Sequence, residues 1–507
     1  MTDAAKKKEI PEAAGLLLIL LASLAFKLLL LPMEQMIAPD EGYYIRMGQH
    51  LREGGNYGSF DFKPTKHKGQ PLVPFLFSVL GGVGGDPVLT ARLASIAAGL
   101  LLILVFHACA RTFFTAREAL ASDFILAFSP FHIQASLWAM THSFFMLAIA
   151  AALYFLLRLE TGKGRAACLA GAMFWAAYMV RVEAFFFGLV FGIFFFRSRP
   201  RFALLILISF LALCLPVWIK IRYDTGLWQF TWTQGLGARG VFEWRWANAL
   251  EGPLTVREFI FNYLKMLKQG FALLPVMLPL PIWVLSAFGT SEILRREPAR
   301  AELFRRALLL AAVLFFFYPA LKAMEPRFYF PFLMLAVIPA GAGISPIAAA
   351  CRALLEGTPA QKILLRFGRV LIFTLILLTY LPGYAFLTGE FRAEPFEQKR
   401  AGEWLARNRD DSFVLLGSDQ RACFYAGRQC RKFVPFAEFD TARGQGESLE
   451  NFLNQSGIST IVFDSRYGKN SRPEFEKELQ YLPRGRLQAG TRIEHGGHWA
   501  AVYFWNS

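Results

Sequence analysis

Charge is scarce in this chain. Only 18% of its 507 residues are Asp, Glu, Lys or Arg, and acids are the rarer kind, 38 against 54 bases. With 55% hydrophobic residues and 51 Phe, the polar side chains cannot cover a water-facing surface, which excludes an ordinary soluble domain. Cysteine is equally sparse: six residues, with no spacing of the kind that clasps zinc. Glycine-rich phosphate loops are missing too, since GGVGG at 81–85 follows no strand and reads as a bend at a helix junction. No basic stripe with interleaved aromatics stands apart from the apolar runs, so the net charge of +16 is not the footprint of nucleic acid.

What is present is a series of long apolar runs. Segments able to span a bilayer occur near 14–33, 88–110, 118–134, 136–157, 166–181, 184–196, 202–220, 263–289, 307–321, 328–350 and 367–388. The reading is an all-α polytopic membrane protein of about eleven helices. Lys6, Lys7 and Lys8, then Arg111 and Arg117, Arg158 to Arg165, Arg197 to Arg201, Arg295 to Arg306, and Arg352 to Arg366 fill alternate connections, which are therefore expected to be cytoplasmic. The first run has no small-residue cleavage site and reads as a retained anchor whose Lys27 snorkels to the interface.

The opposite face receives the loop 34–87, the Trp-rich stretch 221–262 and a tail from about 390. Two domains follow: residues 1–389 in the membrane, and 390–507 as a small exported α/β domain in which the apolar runs FVLLG, TIVFD and AAVYFW alternate with helix-like segments. Cys423 and Cys430 lie close together there, either disulfide-bonded or as two thiols in a small core.

The first exported loop opens with Pro39-Asp40-Glu41-Gly42-Tyr43-Tyr44, where helical spacing puts Tyr44, Met47 and Leu51 on one face. Asp40 and Glu41 either cap that helix or, beside a cleft, offer a carboxylate that takes a proton from an attacking hydroxyl. Lys63, Lys66, His67 and Lys68 run against the positive-inside bias, so they call for an anion, either a lipid headgroup or a sugar-phosphate.

Taken in order, Pro39-Asp40-Glu41 with Tyr43 and Tyr44, His67-Lys68-Gly69-Gln70-Pro71, Ser129-Pro130-Phe131, the helix THSFFMLAIAAALYFLLR, Arg181-Val182-Glu183 and Glu325-Pro326-Arg327-Phe328-Tyr329-Phe330-Pro331 resemble the GT-C membrane glycosyltransferases. The branch most similar holds the protein O-mannosyltransferases and the aminoarabinose transferase of lipid A. The resemblance covers roughly residues 14–390 and rests on order and topology more than on any single motif. It implies transfer of a sugar from a polyprenyl-phosphate donor to a hydroxyl of a lipid, glycan or protein acceptor on the non-cytoplasmic face. By that resemblance Asp40 is the candidate base, with Glu41 as its neighbour. Lys68, Arg327 and Arg181 hold the donor phosphate, and Tyr43, Tyr44, His67, Glu325 and Tyr329 line the substrates. The family commonly has Lys-Pro-Pro where this chain has Lys68-Gly69-Gln70-Pro71. A bacterial inner membrane with a periplasmic site is implied.

Residue chemistry weighs these roles differently. Arg181 at a helix end equally suits snorkelling or pairing with Glu183, whereas Arg327, flanked by aromatics, suits bidentate anion binding. Trp228, Trp232, Trp244 and Trp246 read as interfacial anchors. His132, His142, His495 and His498 read as surface histidines; some members of the family use a divalent metal, but no ligand set stands out here, so no cofactor is assigned. A lipid transporter or flippase is the competing class. Transporters usually carry paired repeats, and no self-similar halves occur here.

Overall fold

The computed structural model describes the chain apart from residues 1–10, 34–36, 56–69, 82–84, 162–163, 183, 186–187, 189–198, 226–255, 297–300, 303, 306–307, 310–311, 313–314, 317–328, 357, 393–395, 466–471, 484, 496–497 and 507. Outside the described residues lie His67, Lys68, Glu325 and Arg327, the four tryptophans of the 221–262 stretch, and most of the expected spans 184–196 and 307–321.

The described residues fall into two compact units. The first gathers residues 1–33, 67–73 and 92–389. Its helices are α1 (Glu12–Leu30), most of α4 (Pro87–Phe113), α5 (Ala116–Ala127), α6 (Pro130–Leu137), α7 (His142–Leu157), α8 (Gly164–Val180), α9 (Pro200–Thr225), α10 (Val256–Met277), α11 (Leu280–Arg296), α12 (Phe330–Val337), α13 (Ala340–Leu354) and nearly all of α14 (Pro359–Arg392). Among the described residues, three helices are long and apolar enough to cross a membrane, and six if each bent pair counts as one. That is fewer than the eleven expected from the apolar runs. The expected helix 118–134 is broken before Pro130, whose ring cannot continue a helix but suits its first turn, and α12 bends by 45° into α13 at Pro339.

Helices in this unit meet through small residues. A Cβ on Gly289 of α11 would lie 1.8 Å from the Pro339 carbonyl oxygen, and one on Gly343 of α13 would lie 2.0 Å from that of Leu285. With lipid as apolar as leucine, close backbone approach of this kind is what holds such helices together. His107 of α4 bridges Asp123 of α5 (2.5 Å) and Glu12 of α1 (2.9 Å). Lys27 does not snorkel: it is fully buried, its Nζ seated 3.3 Å from where a Cβ on Gly99 of α4 would be. The missing side chain at Gly99 opens room among helices that hydropathy reads only as lipid-facing. His132 and His142 are likewise buried rather than on the surface; His132 Nε2 lies 3.1 Å from the Gly99 carbonyl oxygen.

The second unit gathers residues 34–66, 74–91 and 390–507. It contains α2 (Pro39–Arg52), most of α3 (Leu72–Leu80) and an α/β domain of α15 (Phe396–Asn408), β1 (Phe413–Gly417), α16 (Gln420–Tyr425), β2 (Cys430–Pro435), α17 (Phe436–Gly444), α18 (Leu449–Gln455), β3 (Thr460–Asp464), α19 (Arg472–Tyr481), β4 (Leu487–His495) and β5 (His498–Trp505). The sheet order is β2-β1-β3-β5-β4; β1 runs parallel to β2 and β3, and β5 antiparallel to β3 and β4. Phe436, Phe439, Phe463 and Phe475 centre its core with Leu453, Ile461 and Trp505. α2 packs on α3 through Gly48, where a Cβ would lie 3.0 Å from the Pro74 carbonyl oxygen.

Cys423 and Cys430 are joined, with Cα atoms 5.3 Å apart. Closing so short a loop is expected to stabilise the domain by about 2–3 kcal/mol through the unfolded chain's lost freedom. Peptide mapping without reductant should recover the two cysteines in one cross-linked species, and chemical unfolding should shift to lower denaturant on reduction.

Candidate active site

In the second unit the acidic motif opens α2. Pro39 occupies the first helical turn, where its fixed φ is suited and its missing N–H costs nothing. Ala38 before it is extended (φ −65°, ψ 151°) and has no side chain with which to cap. Glu41 supplies the cap instead: its carboxylate is fully buried and accepts from the Ala38 N–H at 2.8 Å. Asp40 is half-buried on the same first turn, where the helix dipole favours negative charge. The rings of Tyr43, buried, and Tyr44, half-buried, meet edge to face with centroids 5.5 Å apart. The two acids thus differ in situation: Glu41 is committed to the backbone, and Asp40 retains partial access to solvent.

α2 is anchored to the C-terminal domain. Tyr425 Oη accepts from the Ile37 N–H at 3.0 Å, and a Cβ on Gly42 would come within 3.1 Å of the Phe424 ring. Arg46, one turn beyond Gly42, donates to the carbonyl oxygens of Cys423 (3.4 Å), Phe424 (3.2 Å) and Gly427. Burial pushes its pKa down to about 10, which leaves it charged at neutral pH.

In the first unit Arg181 follows α8, and its Nη1 donates to His142 Nδ1 at 3.3 Å, so the imidazole proton sits on Nε2. The guanidinium lies 5.5 Å from the Phe145 ring centroid, and the His142 ring meets Phe330 edge to face at 5.5 Å. Tyr329, buried, precedes Phe330 at the start of α12. His142, which sequence reasoning missed, thus links Arg181 to Phe330 at the start of α12, while the Tyr329 ring packs on Phe315 at 5.2 Å. The signal available was its place: a basic side chain opening α7, as Arg181 closes α8. Among the described residues no three His, Cys, Asp or Glu side chains gather as a metal site.

Residues 64–219 match the dolichyl-phosphate-mannose-protein mannosyltransferase family. No curated protein matches the chain by sequence. Similarity to solved structures runs much further along the chain. ArnT from Cupriavidus metallidurans bound to undecaprenyl phosphate superposes with a TM-score of 0.63 at 15% identity, over 96% of this chain and 97% of that one. The chain has the GT-C glycosyltransferase fold. The Archaeoglobus fulgidus oligosaccharyltransferase shares this GT-C fold with a TM-score of 0.62 at 13% identity, over 90% of this chain and 70% of that one. A mycobacterial arabinofuranosyltransferase, AftD, shares it at 0.52 and 16%, over 96% and 40%. Within the GT-C frame the matched family segment runs from just before His67 through Arg181 to α9, and Asp40 precedes it.

Proposed function

We propose that this GT-C glycosyltransferase moves a sugar from a polyprenyl-phosphate donor to a hydroxyl of a lipid, glycan or protein acceptor, at the non-cytoplasmic face of a bacterial inner membrane. The observation that carries the reading is the pair of acids on α2 in different settings, Glu41 buried and capping the helix and Asp40 half-buried on its first turn, in a chain that follows ArnT over 96% of its length. That ArnT structure holds undecaprenyl phosphate, and an archaeal AglB structure, similar at a TM-score of 0.57 and 14% identity, holds dolichol-phosphate and an inhibitory peptide.

Asp40 accepts the acceptor's hydroxyl proton as the oxygen attacks the anomeric carbon. The bond from that carbon to the phosphate oxygen breaks, and the electron pair leaves with the phosphate. Positive character builds on the sugar and negative charge on the leaving group, so a carboxylate on one side and Lys68, Arg327 and Arg181 on the other complement the transition state. Tyr43, Tyr44, His67, Glu325 and Tyr329 line the substrates in this reading. Purified protein supplied with undecaprenyl-phosphate-linked mannose, arabinose or aminoarabinose should release undecaprenyl phosphate and label an envelope acceptor; movement of intact donor across a vesicle without sugar transfer would replace the enzyme with a flippase.

The same reading puts residues 34–87 and 390–507 on one side of the membrane. Single cysteines placed at Ser59 and Ser448 should react with an impermeant thiol reagent from the periplasmic side alike. Labelling of the two sites from opposite sides would overturn the topology.

A further inference from the structure

Arg46 has no part in the chemistry above, yet it is the most deeply engaged cation on α2. Its guanidinium meets three carbonyl oxygens, those of Cys423, Phe424 and Gly427, and sits 5.6 Å from the Phe424 ring centroid. Each acceptor belongs to the stretch that the Cys423–Cys430 disulfide closes. Two of them lie at the carboxyl end of α16, where helix carbonyls lack intrahelical donors and carry partial negative charge. The third belongs to Gly427, whose φ of +72° turns the chain so that its carbonyl faces the same point. A planar guanidinium with a fork of donors suits such a cage; an ammonium does not reproduce it.

The cage fixes α2 rather than merely touching it. Gly42 lets the helix lie against Phe424, Arg46 enters the cage one turn later, and Glu53 pairs with Arg428 at 2.6 Å beyond the helix end. That last pair is exposed and contributes little. Asp40 is two residues ahead of Gly42, so the docked face sets the rotation and height of its carboxylate.

We propose that Arg46 is the positioning residue for Asp40, and that the loop closed by Cys423–Cys430 is its receptor, so that the oxidised disulfide is required to aim the base. The inference rests on the reading of Asp40 as base. With the disulfide open, the three carbonyls are no longer held around one point, and α2 loses its fixed seat without any change in the residues that bear the chemistry.

The test uses the whole chain and two readouts, amide exchange over residues 39–52 and sugar transfer from undecaprenyl-phosphate-linked mannose, arabinose or aminoarabinose, whichever the unsubstituted protein uses. Arg46→Ala and the double variant Cys423→Ser/Cys430→Ser should each speed exchange of α2 at least tenfold and lower kcat by about 10–100-fold, the cost of a misplaced catalytic group, with donor KM within about twofold. Arg46→Lys should recover only part of kcat. Arg46→Ala added to the double serine variant should cost no more than about another twofold, because both changes dismantle one cage. Arg428→Ala should be close to wild type in both readouts. Unchanged α2 exchange in Arg46→Ala, or effects of cage and disulfide that multiply in full, would overturn the proposal. A silent Asp40→Asn would remove the base reading itself, whereas a silent Arg46→Ala beside an impaired Asp40→Asn would remove only the positioning role.

Discussion

Asp40→Asn should lower turnover by about 10²–10⁴-fold while donor affinity changes little, because the amide keeps the shape of the carboxylate and cannot accept the acceptor's proton. The structure sharpens the contrast with a purely structural role. Glu41 already caps α2 through the Ala38 N–H, and Asn suits a first turn almost as well as Asp, so a structural Asp40 would lose next to nothing in stability or rate on this change. Glu41→Gln should behave in the opposite way: the amide oxygen still accepts from Ala38, transfer stays within several-fold of wild type, and what loss occurs shows in thermal stability. Single-turnover transfer, donor binding and thermal unfolding of the two variants separate the roles. Near-normal transfer by Asp40→Asn would leave the base to be found elsewhere.

Lys68→Ala and Arg327→Ala should each reduce kcat/KM at sub-saturating donor by about 10–150-fold, the loss of a charge-assisted hydrogen bond of roughly 1.5–3 kcal/mol to the departing phosphate. Both proteins should remain folded. The split between the two is informative: a residue that grips the phosphate equally before and during departure raises KM, and one that engages only as charge develops lowers kcat. Arg181→Ala should be milder, since its guanidinium is already shared with His142 and the Phe145 ring. Unchanged kinetics for both Lys68→Ala and Arg327→Ala would take them out of the site.

How much of this was legible beforehand depended on where each residue's partners lie along the chain. The strands FVLLG, TIVFD and AAVYFW were readable because they are apolar runs bounded by polar segments, and they form the interior of the sheet as β1, β3 and β5. The two strands that went unread, β2 and β4, are its edges, and β4 shows mostly partly exposed or exposed residues to either face. An edge strand has fewer neighbours to satisfy and so less need of an apolar signature. The helix after Pro39 followed from spacing, and the acid cap from dipole chemistry. Arg46 did not follow, because its acceptors are main-chain oxygens 377 to 381 residues away, and carbonyls leave no mark in a side-chain pattern. Lys27 and the two buried histidines were misplaced for a different reason: hydropathy reports apolar surroundings without distinguishing lipid from the inside of a helix bundle, and the room for Lys27 comes from an absent side chain at Gly99.

The second unit joins segments 377 to 381 residues apart in sequence, and this sets a schedule for biosynthesis. Arg46 emerges from the ribosome long before Cys423, Phe424 and Gly427, and at roughly 5–20 residues per second the interval is on the order of 20–75 s. Throughout that time α2 has no cage to enter. On the proposal that this cage aims Asp40, a chain halted before Cys423 would hold its acid unaimed, and so would a chain whose Cys423–Cys430 bond has not yet formed.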